Sequence, residues 1–269
     1  MGKFDGVLLV SDFDDTLCGQ TYHIPERNLR ALDYFMGEGG RFTVATGRAH
    51  RTFAPYYNLL PINAPVVLSN GAAIFDFKEN RYLEESLLGE QAAPDLAEVM
   101  GHFPTLGMEA YHGEDIYVCN PNVVTYGHLK KVNCDYTLSP VDQMPTPWCK
   151  VLLQQEHDVL RQVRDYFLQR WGDRYEAIFS NRYYLELTHK GSTKGGMVDK
   201  LARHLGIDPA HVYCVGDNQN DIPMMERSAI PFAPGSCAQE VKDWGARLLC
   251  HCDDGVIGDI VEILDEIYE

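Results

Sequence analysis

Short apolar runs alternate with amphipathic stretches at both ends of the chain. GVLLVSDF (residues 6–13) is apolar and β-branched, which predicts a strand. PERNLRALDYFMGEGG (25–40) follows, with Pro25 placed to open a helix and Gly39 and Gly40 to stop it. RFTVATG predicts a second strand, RAHRTFAPYYNLL a short helix, and APVVLSNG a third strand that ends at Asn70 and Gly71. The same rhythm returns from STKGGMVDKLARHLG, where Met197, Leu201 and Leu205 recur at helical spacing. It continues through the strand HVYCVGD, a helix at NDIPMMERS, a strand at AIPFAP, a helix at SCAQEVKDW, a strand at ARLLCHC and a closing amphipathic helix at GVIGDIVEILDEIY. Strands alternating with helices predict an α/β fold: a Rossmann-like parallel sheet with helices on both faces.

Between these halves the pattern changes. AAIFDF, KEN and RYLEES read as a β-hairpin leading away from the sheet. From Leu87 to Thr188 two helical stretches, APDLAEVMGHF and HDVLRQVRDYFLQRW, mix with the strand-like segments MEAYHGEDIYVCN, WCKVLLQQE and AIFSNRYYLELT. The expectation is a core of residues 1–86 and 189–269 carrying an inserted α+β domain of residues 87–188, entered and left through two short hinges.

Composition narrows the function. A length of 269 residues, 45% of them hydrophobic, suits one large or two modest domains, and we expect two. A formal net charge of −16 argues against nucleic acid or an anionic membrane as a partner, so an anionic ligand must be met locally. No apolar run approaches the roughly 20 residues of a membrane span, and MGKFDG lacks the form of a signal peptide, which leads us to expect a cytoplasmic protein. Eight scattered cysteines read as free thiols. CysHisCys at 250–252 has the makings of a metal site, but it lies in a segment that reads as a strand.

In a parallel α/β sheet ligands bind beyond the carboxyl ends of the strands. Four predicted strand ends carry polar chemistry: Asp12 and Asp14, Thr46–Arg48, Ser69–Gly71, and Gly216–Asp221. Asp12, Asp14 and Asp15 repel one another unless a cation lies among them, and a divalent ion between Asp12 and Asp217, with Asp221 a third candidate, would relieve that repulsion. Carboxylates with no nearby His or Cys favour a hard ion, and Mg²⁺ fits best.

DFDDT, TGR, STKGG and GDNQND stand in the order and context of the haloacid dehalogenase superfamily, and the whole chain resembles its Cof-type phosphatase branch, large α+β cap included. The resemblance implies a magnesium-dependent phosphatase acting on a small phosphorylated metabolite, either a sugar phosphate or a phosphorylated cofactor. In that reading Asp12 is the nucleophile that forms an aspartyl-phosphate and Asp14 is the general acid and base. Mg²⁺ is held by Asp12, the backbone carbonyl of Asp14, and Asp217. Lys194 steadies the nucleophile and the phosphoryl group, while the Thr46 hydroxyl, the Gly47 amide and Asn220 cradle its oxygens. Asp221 supports Mg²⁺ or Lys194. Arg48 and Asn70 either bind substrate or tie the loops together.

A leaving alkoxide needs a proton and a leaving halide does not, so Asp14 favours phosphatase over dehalogenase, and partial burial beside other acids should raise its pKa. The sequence departs from the usual family pattern at Asp15, where glycine is common, and at APGSCA (233–238), where asparagine is often found; Asp15 reads as a solvated turn residue. Within the insertion Trp148, Lys150, Tyr183, Tyr184 and Glu186 fall on predicted strands facing unknown directions. A phosphotransferase or mutase using the same intermediate is the alternative reading. A non-catalytic phosphate sensor is a weaker one, since it should have lost catalytic groups.

Overall fold

The computed structural model describes residues 2–21 and 23–268. The first part of the chain runs through β1 (Leu8–Ser11), α1 (Glu26–Gly37), β2 (Arg41–Val44), α2 (His50–Tyr57), β3 (Val66–Leu68), β4 (Ala73–Asp76) and β5 (Arg81–Glu85). The middle holds α3 (Ala92–His102), β6 (Gly107–His112), β7 (Asp115–Cys119), α4 (Val123–Val132), β8 (Thr137–Leu138), β9 (Lys150–Gln154), α5 (His157–Trp171), β10 (Tyr175–Asn181) and β11 (Tyr184–His189). The last part contains α6 (Lys194–Leu205), β12 (Val212–Val215), α7 (Ile222–Met225), β13 (Pro231–Ala233), α8 (Gln239–Trp244), β14 (Arg247–Leu248) and α9 (Val256–Ile267).

Among the described residues a parallel sheet runs in the order β14-β13-β12-β1-β2, and a parallel bridge from Ala45 to Val67 sets β3 beside β2. Every residue of β1 is buried because both faces are covered, which is why its sequence reads as a continuous apolar run. Leu9, Phe42 and Tyr213 face α1 and α9, whereas Leu8, Val10 and Cys214 face α6 and α7. The predicted hairpin is β4–β5, and with β3 it forms a separate antiparallel sheet.

The middle part builds a six-stranded sheet, β10-β11-β9-β6-β7-β8. Alternation along its strands divides its two faces. Met108, Ala110, Val151, Leu153, Leu185 and Leu187 pack under α3 and α5. Glu109, Tyr111, Lys150 and Glu186 lie on the opposite face, three of them polar or charged groups that a core does not use unless they are paired.

Several expectations are corrected. MEAYHGEDIYVCN and AIFSNRYYLELT are each a hairpin, β6–β7 and β10–β11, rather than one strand. Besides the two expected helices the middle part holds α4, which begins at an Asn122–Thr125 capping box and ends at left-handed Asn133. The strand expected at ARLLCHC stops at Leu248, and Cys252 opens a short 3₁₀ turn. No helix among the described residues is long and apolar enough to cross a membrane.

Candidate active site

The four strand-end motifs converge. Asp12 follows β1, Thr46–Arg48 follow β2, Ser69–Gly71 follow β3, and Gly216–Asp221 follow β12. The second and third are tied by backbone: the Ser69 and Asn70 amides donate to the carbonyls of Arg48 and Thr46. Ser69, Asn70 and Gly71 all have positive φ, a cost that the two non-glycine residues bear only where the surroundings fix the turn.

Lys194 stands at the first position of α6, behind the Thr193 N-cap. A cation there opposes the helix dipole, and the side chain is 1% exposed, so it must be held by anions. Its ammonium donates to Asp12 at 2.5 Å and to Asp221 at 2.6 Å. Burial works against the charge, but the two carboxylates more than offset it and raise the Lys194 pKa. The other Asp221 oxygen accepts the backbone amides of Asp217 and Asn218 at 2.9 and 3.0 Å, so both of its oxygens are occupied. A Cβ at Gly216 would run into the Asp221 side chain, which explains the glycine in GDNQND.

Asp12, Asp217 and Asp221 bring carboxylate oxygens within 4.8 Å of one another. Burial pushes the Asp12 carboxyl up to about 7, opposed by Lys194 and assisted by Asp221. Asp217 is raised well above its ordinary value by burial and by the charges of Asp12 and Asp221. One lysine leaves this cluster under-neutralised, and its donors are all oxygen. The residues present therefore fit a hard divalent ion.

Asp14 turns the other way. Arg48 grips its carboxylate with two parallel bonds of 2.8 and 2.7 Å, and the guanidinium lies over the rings of Phe13 and Tyr56 at 5.3 and 4.8 Å. Burial pushes the Asp14 carboxyl up, but the Arg48 hydrogen bonds and charge outweigh it and leave the pKa below its ordinary value. This corrects the expected raised pKa. Arg48 binds Asp14 here, its remaining nitrogen lies 3.5 Å from the Thr52 carbonyl, and its side chain lines the cleft.

Thr46 is fully buried and its Oγ1 accepts the Arg48 amide. Asn220 donates to Asn70 at 3.0 Å, which joins the third and fourth motifs. This leaves Asn70 Nδ2 and Asn220 Oδ1 buried without partners. Asp15 is exposed, as expected for a turn residue, with φ of 60° in the left-handed region that a glycine enters freely. In the APGSCA segment the Ala238 amide donates to the Asp217 carbonyl. At the carboxyl-terminal cysteines, Cys250 faces Arg27 at 3.9 Å while Cys252 clusters with its sequence neighbours His251 and Asp253.

The polar face of the six-stranded sheet closes over this site and leaves a cleft of about 170 Å³ lined by Asp12, Asp14 and Asp217 from below. Lys150, Tyr184 and Glu186 line it from above, as do His128 and Lys131 of α4, which the sequence reading missed. Lys150 is buried, donates to Glu186 at 3.1 Å and reaches across to the carbonyl of Gly47 at 2.9 Å. Trp148 is instead core, its indole donating to the Pro145 carbonyl, and Tyr183 lies in the β10–β11 turn.

Residues 9–257 match the family model for haloacid dehalogenase-like hydrolases. The chain belongs to that family, in its Cof-type phosphatase branch. It is 24% identical over 252 residues to the pyridoxal phosphate phosphatase YbhA of Escherichia coli, covering 87% of this chain and 90% of the relative. It is 25% identical over 239 residues to an HMP-PP phosphatase of Yersinia enterocolitica, covering 87% and 86%. A solved haloacid dehalogenase-like hydrolase from Bacteroides thetaiotaomicron shares the fold with a TM-score of 0.81 at 22% identity, covering 97% of this chain and 99% of that one.

Proposed function

We propose that the chain hydrolyses a small phosphorylated metabolite through an aspartyl-phosphate on Asp12, with residues 1–86 and 189–269 as the catalytic core and residues 87–188 as the cap that sets specificity. The observation that carries this is the buried Lys194, clamped between Asp12 and Asp221 beneath the cleft that Asp12 and the oriented Asp14 line. A buried nucleophilic carboxylate with its own ammonium suits an electrophile that arrives as an anion. Relatives named for pyridoxal phosphate and HMP-PP, and a cleft of about 170 Å³, favour a small substrate over a macromolecule. Eight free thiols suit a reducing compartment such as the cytoplasm.

Asp12 and Asp217 would hold Mg²⁺ together with the Asp14 carbonyl, while Asp221, with both oxygens engaged, braces Lys194. The ion would neutralise charge between the carboxylates and the phosphoryl group. Asp12 attacks phosphorus, and the bond from phosphorus to the leaving oxygen breaks. Lys194, the Thr46 hydroxyl, the Gly47 amide and Asn220 stabilise the phosphoryl oxygens. Asp14 supplies a proton to the leaving alkoxide and then takes one from the water that breaks the aspartyl-phosphate bond, releasing phosphate. The ionised, Arg48-bound Asp14 is ready for the second of these steps; for the first it must gain a proton as substrate displaces the guanidinium.

The test is phosphate release from a panel of phosphomonoesters, with and without Mg²⁺, for the wild type and Asp12→Asn. Hydrolysis requiring both the ion and Asp12 supports the reading. Absence of hydrolysis in a folded, magnesium-loaded protein would shift it to phosphotransfer.

A further inference from the structure

One polar cluster facing the cleft lies outside every motif. Glu109 on β6 is completely buried, and each of its contacts is a donor: Tyr111 Oη at 2.8 Å, Gln154 Nε2 at 2.7 Å, and His128 Nδ1 at 2.9 and 3.0 Å from its two oxygens. Burial pushes the carboxyl up, but these bonds, His128 foremost, outweigh it and keep Glu109 ionised. A carboxylate only accepts, so Nδ1 of His128 carries a proton and is committed to Glu109. The nitrogen left for the cleft is Nε2. The ring is further fixed by an edge-to-face contact with Tyr184 at 5.1 Å, and both side chains line the cleft with Asp12 and Asp14.

We propose that His128, oriented by Glu109, reads a hydroxyl of the leaving group, and that the substrate is a phosphorylated sugar or polyol. This rests on the phosphatase reading above. With Nδ1 protonated, Nε2 is an acceptor in the neutral ring and a donor in the cation, and a hydroxyl satisfies it in both states. Two rings of the cleft are already engaged, Tyr111 by the Lys150 ammonium at 4.6 Å and Tyr184 by the edge-to-face His128 at 5.1 Å, which disfavours stacking of a flat aromatic leaving group on them. The cleft wall also carries Lys131, Ser180, Asn181 and Glu186, whose two oxygens accept the Lys150 ammonium and the Ser180 hydroxyl; such a mixed set of donors and acceptors suits a ligand rich in hydroxyls. His128 is a recognition residue and Glu109 a positioning residue.

Two amide variants separate the nitrogens: His128→Asn keeps an amide near Nδ1 for Glu109 and withdraws from the cleft, whereas His128→Gln places its amide near Nε2. kcat/KM is measured on hexose 6-phosphates and pentitol phosphates and on phenyl phosphate, whose leaving group has no further hydroxyl. We expect His128→Asn to lower kcat/KM on the best sugar or polyol phosphate by roughly 10- to 100-fold, the effect of one hydrogen bond to a buried partner. Phenyl phosphate should change by less than about 3-fold, and His128→Gln should recover part of the loss. Glu109→Gln, which keeps an acceptor for Nδ1–H, should raise KM for the sugar or polyol phosphate more than it lowers kcat. Equal loss on both substrate types would make His128 merely structural and overturn the inference, as would a wild type that prefers phenyl phosphate. If the wild type releases phosphate in an Asp12-dependent way while the ratio is unmoved by His128→Asn, this inference alone fails. If it releases none, the phosphatase reading fails and takes the inference with it.

Discussion

At the scale of single residues, the two aspartates of DFDDT differ by what surrounds them. Burial pushes Asp12 up to about 7 against the pull of Lys194, whereas at Asp14 the Arg48 guanidinium outweighs burial and holds the carboxyl low. Replacing Asp12 with Asn should keep the fold and lower phosphate release by at least roughly 1,000-fold, because the amide is not a nucleophile. Arg48→Ala should raise the Asp14 pKa, since burial is then opposed only by the charges of Lys131 and Lys194; carboxyl NMR titration reads this directly, and an unmoved Asp14 would show that the guanidinium does not set its charge. The sign for stability follows. A carboxyl depressed in the folded state contributes stability above its unfolded pKa, which is lost as pH falls through the folded value, so Arg48→Ala should lose most near neutral pH and least in acid. The Asp14–Arg48 pair was not visible in the sequence, where the two residues stand on separate motifs and nothing local says that they meet. The same holds for Glu109 and His128, which lie in a strand and a helix that share no pattern.

At the scale of elements, the parallel strands were legible because both faces are buried and their apolar runs are unbroken, and the motifs at their ends do lie together. The helix α4 was hidden by Val123, Val124, Thr125 and Gly127, which weaken any helical pattern; its signal was the pair of caps, Asn122 with Thr125 and then Asn133. The hairpins β6–β7 and β10–β11 were read as single strands because the strand-forming residues resume after turns only two residues long. The turn after β3 makes a sharper point. Gly71 has φ of 95°, and a Cβ there would run into the backbone of Thr193, the cap of the helix that begins with Lys194. Gly71→Ala should therefore cost stability by strain and overlap, about 2–4 kcal/mol, and impair phosphate release beyond what the fold loses by displacing Lys194. A variant with unchanged melting temperature and rate would mean that the turn and α6 are not in register as described.

At the scale of the whole molecule, a chain of net charge −16 concentrates several acids in one cleft, and its stability should report whether a cation joins them. The Asp12 carboxyl has its pKa raised from 3.8 to about 7, so the folded state holds that proton more tightly than the unfolded chain does. The stability this contributes is full below the unfolded value and is lost as pH rises through the folded one; Asp217, raised in the same direction, adds to the loss. Mg²⁺ competes with protons for these oxygens, so its stabilisation should be small at pH 5 and grow towards pH 8. A hundred-fold excess over Kd is worth about 2.7 kcal/mol, which for a chain of this size is a rise of roughly 5–10 °C in melting temperature. Melting curves at pH 5 to 8, with Mg²⁺ or with EDTA, make the comparison. Asp217→Asn should melt higher than the wild type in EDTA, because it removes one of the repelling charges, yet gain nothing from Mg²⁺. An equal magnesium effect at pH 5 and pH 8, or an Asp217→Asn protein that still responds to the ion, would place the cation elsewhere and leave the repulsion among these carboxylates to Lys194 alone.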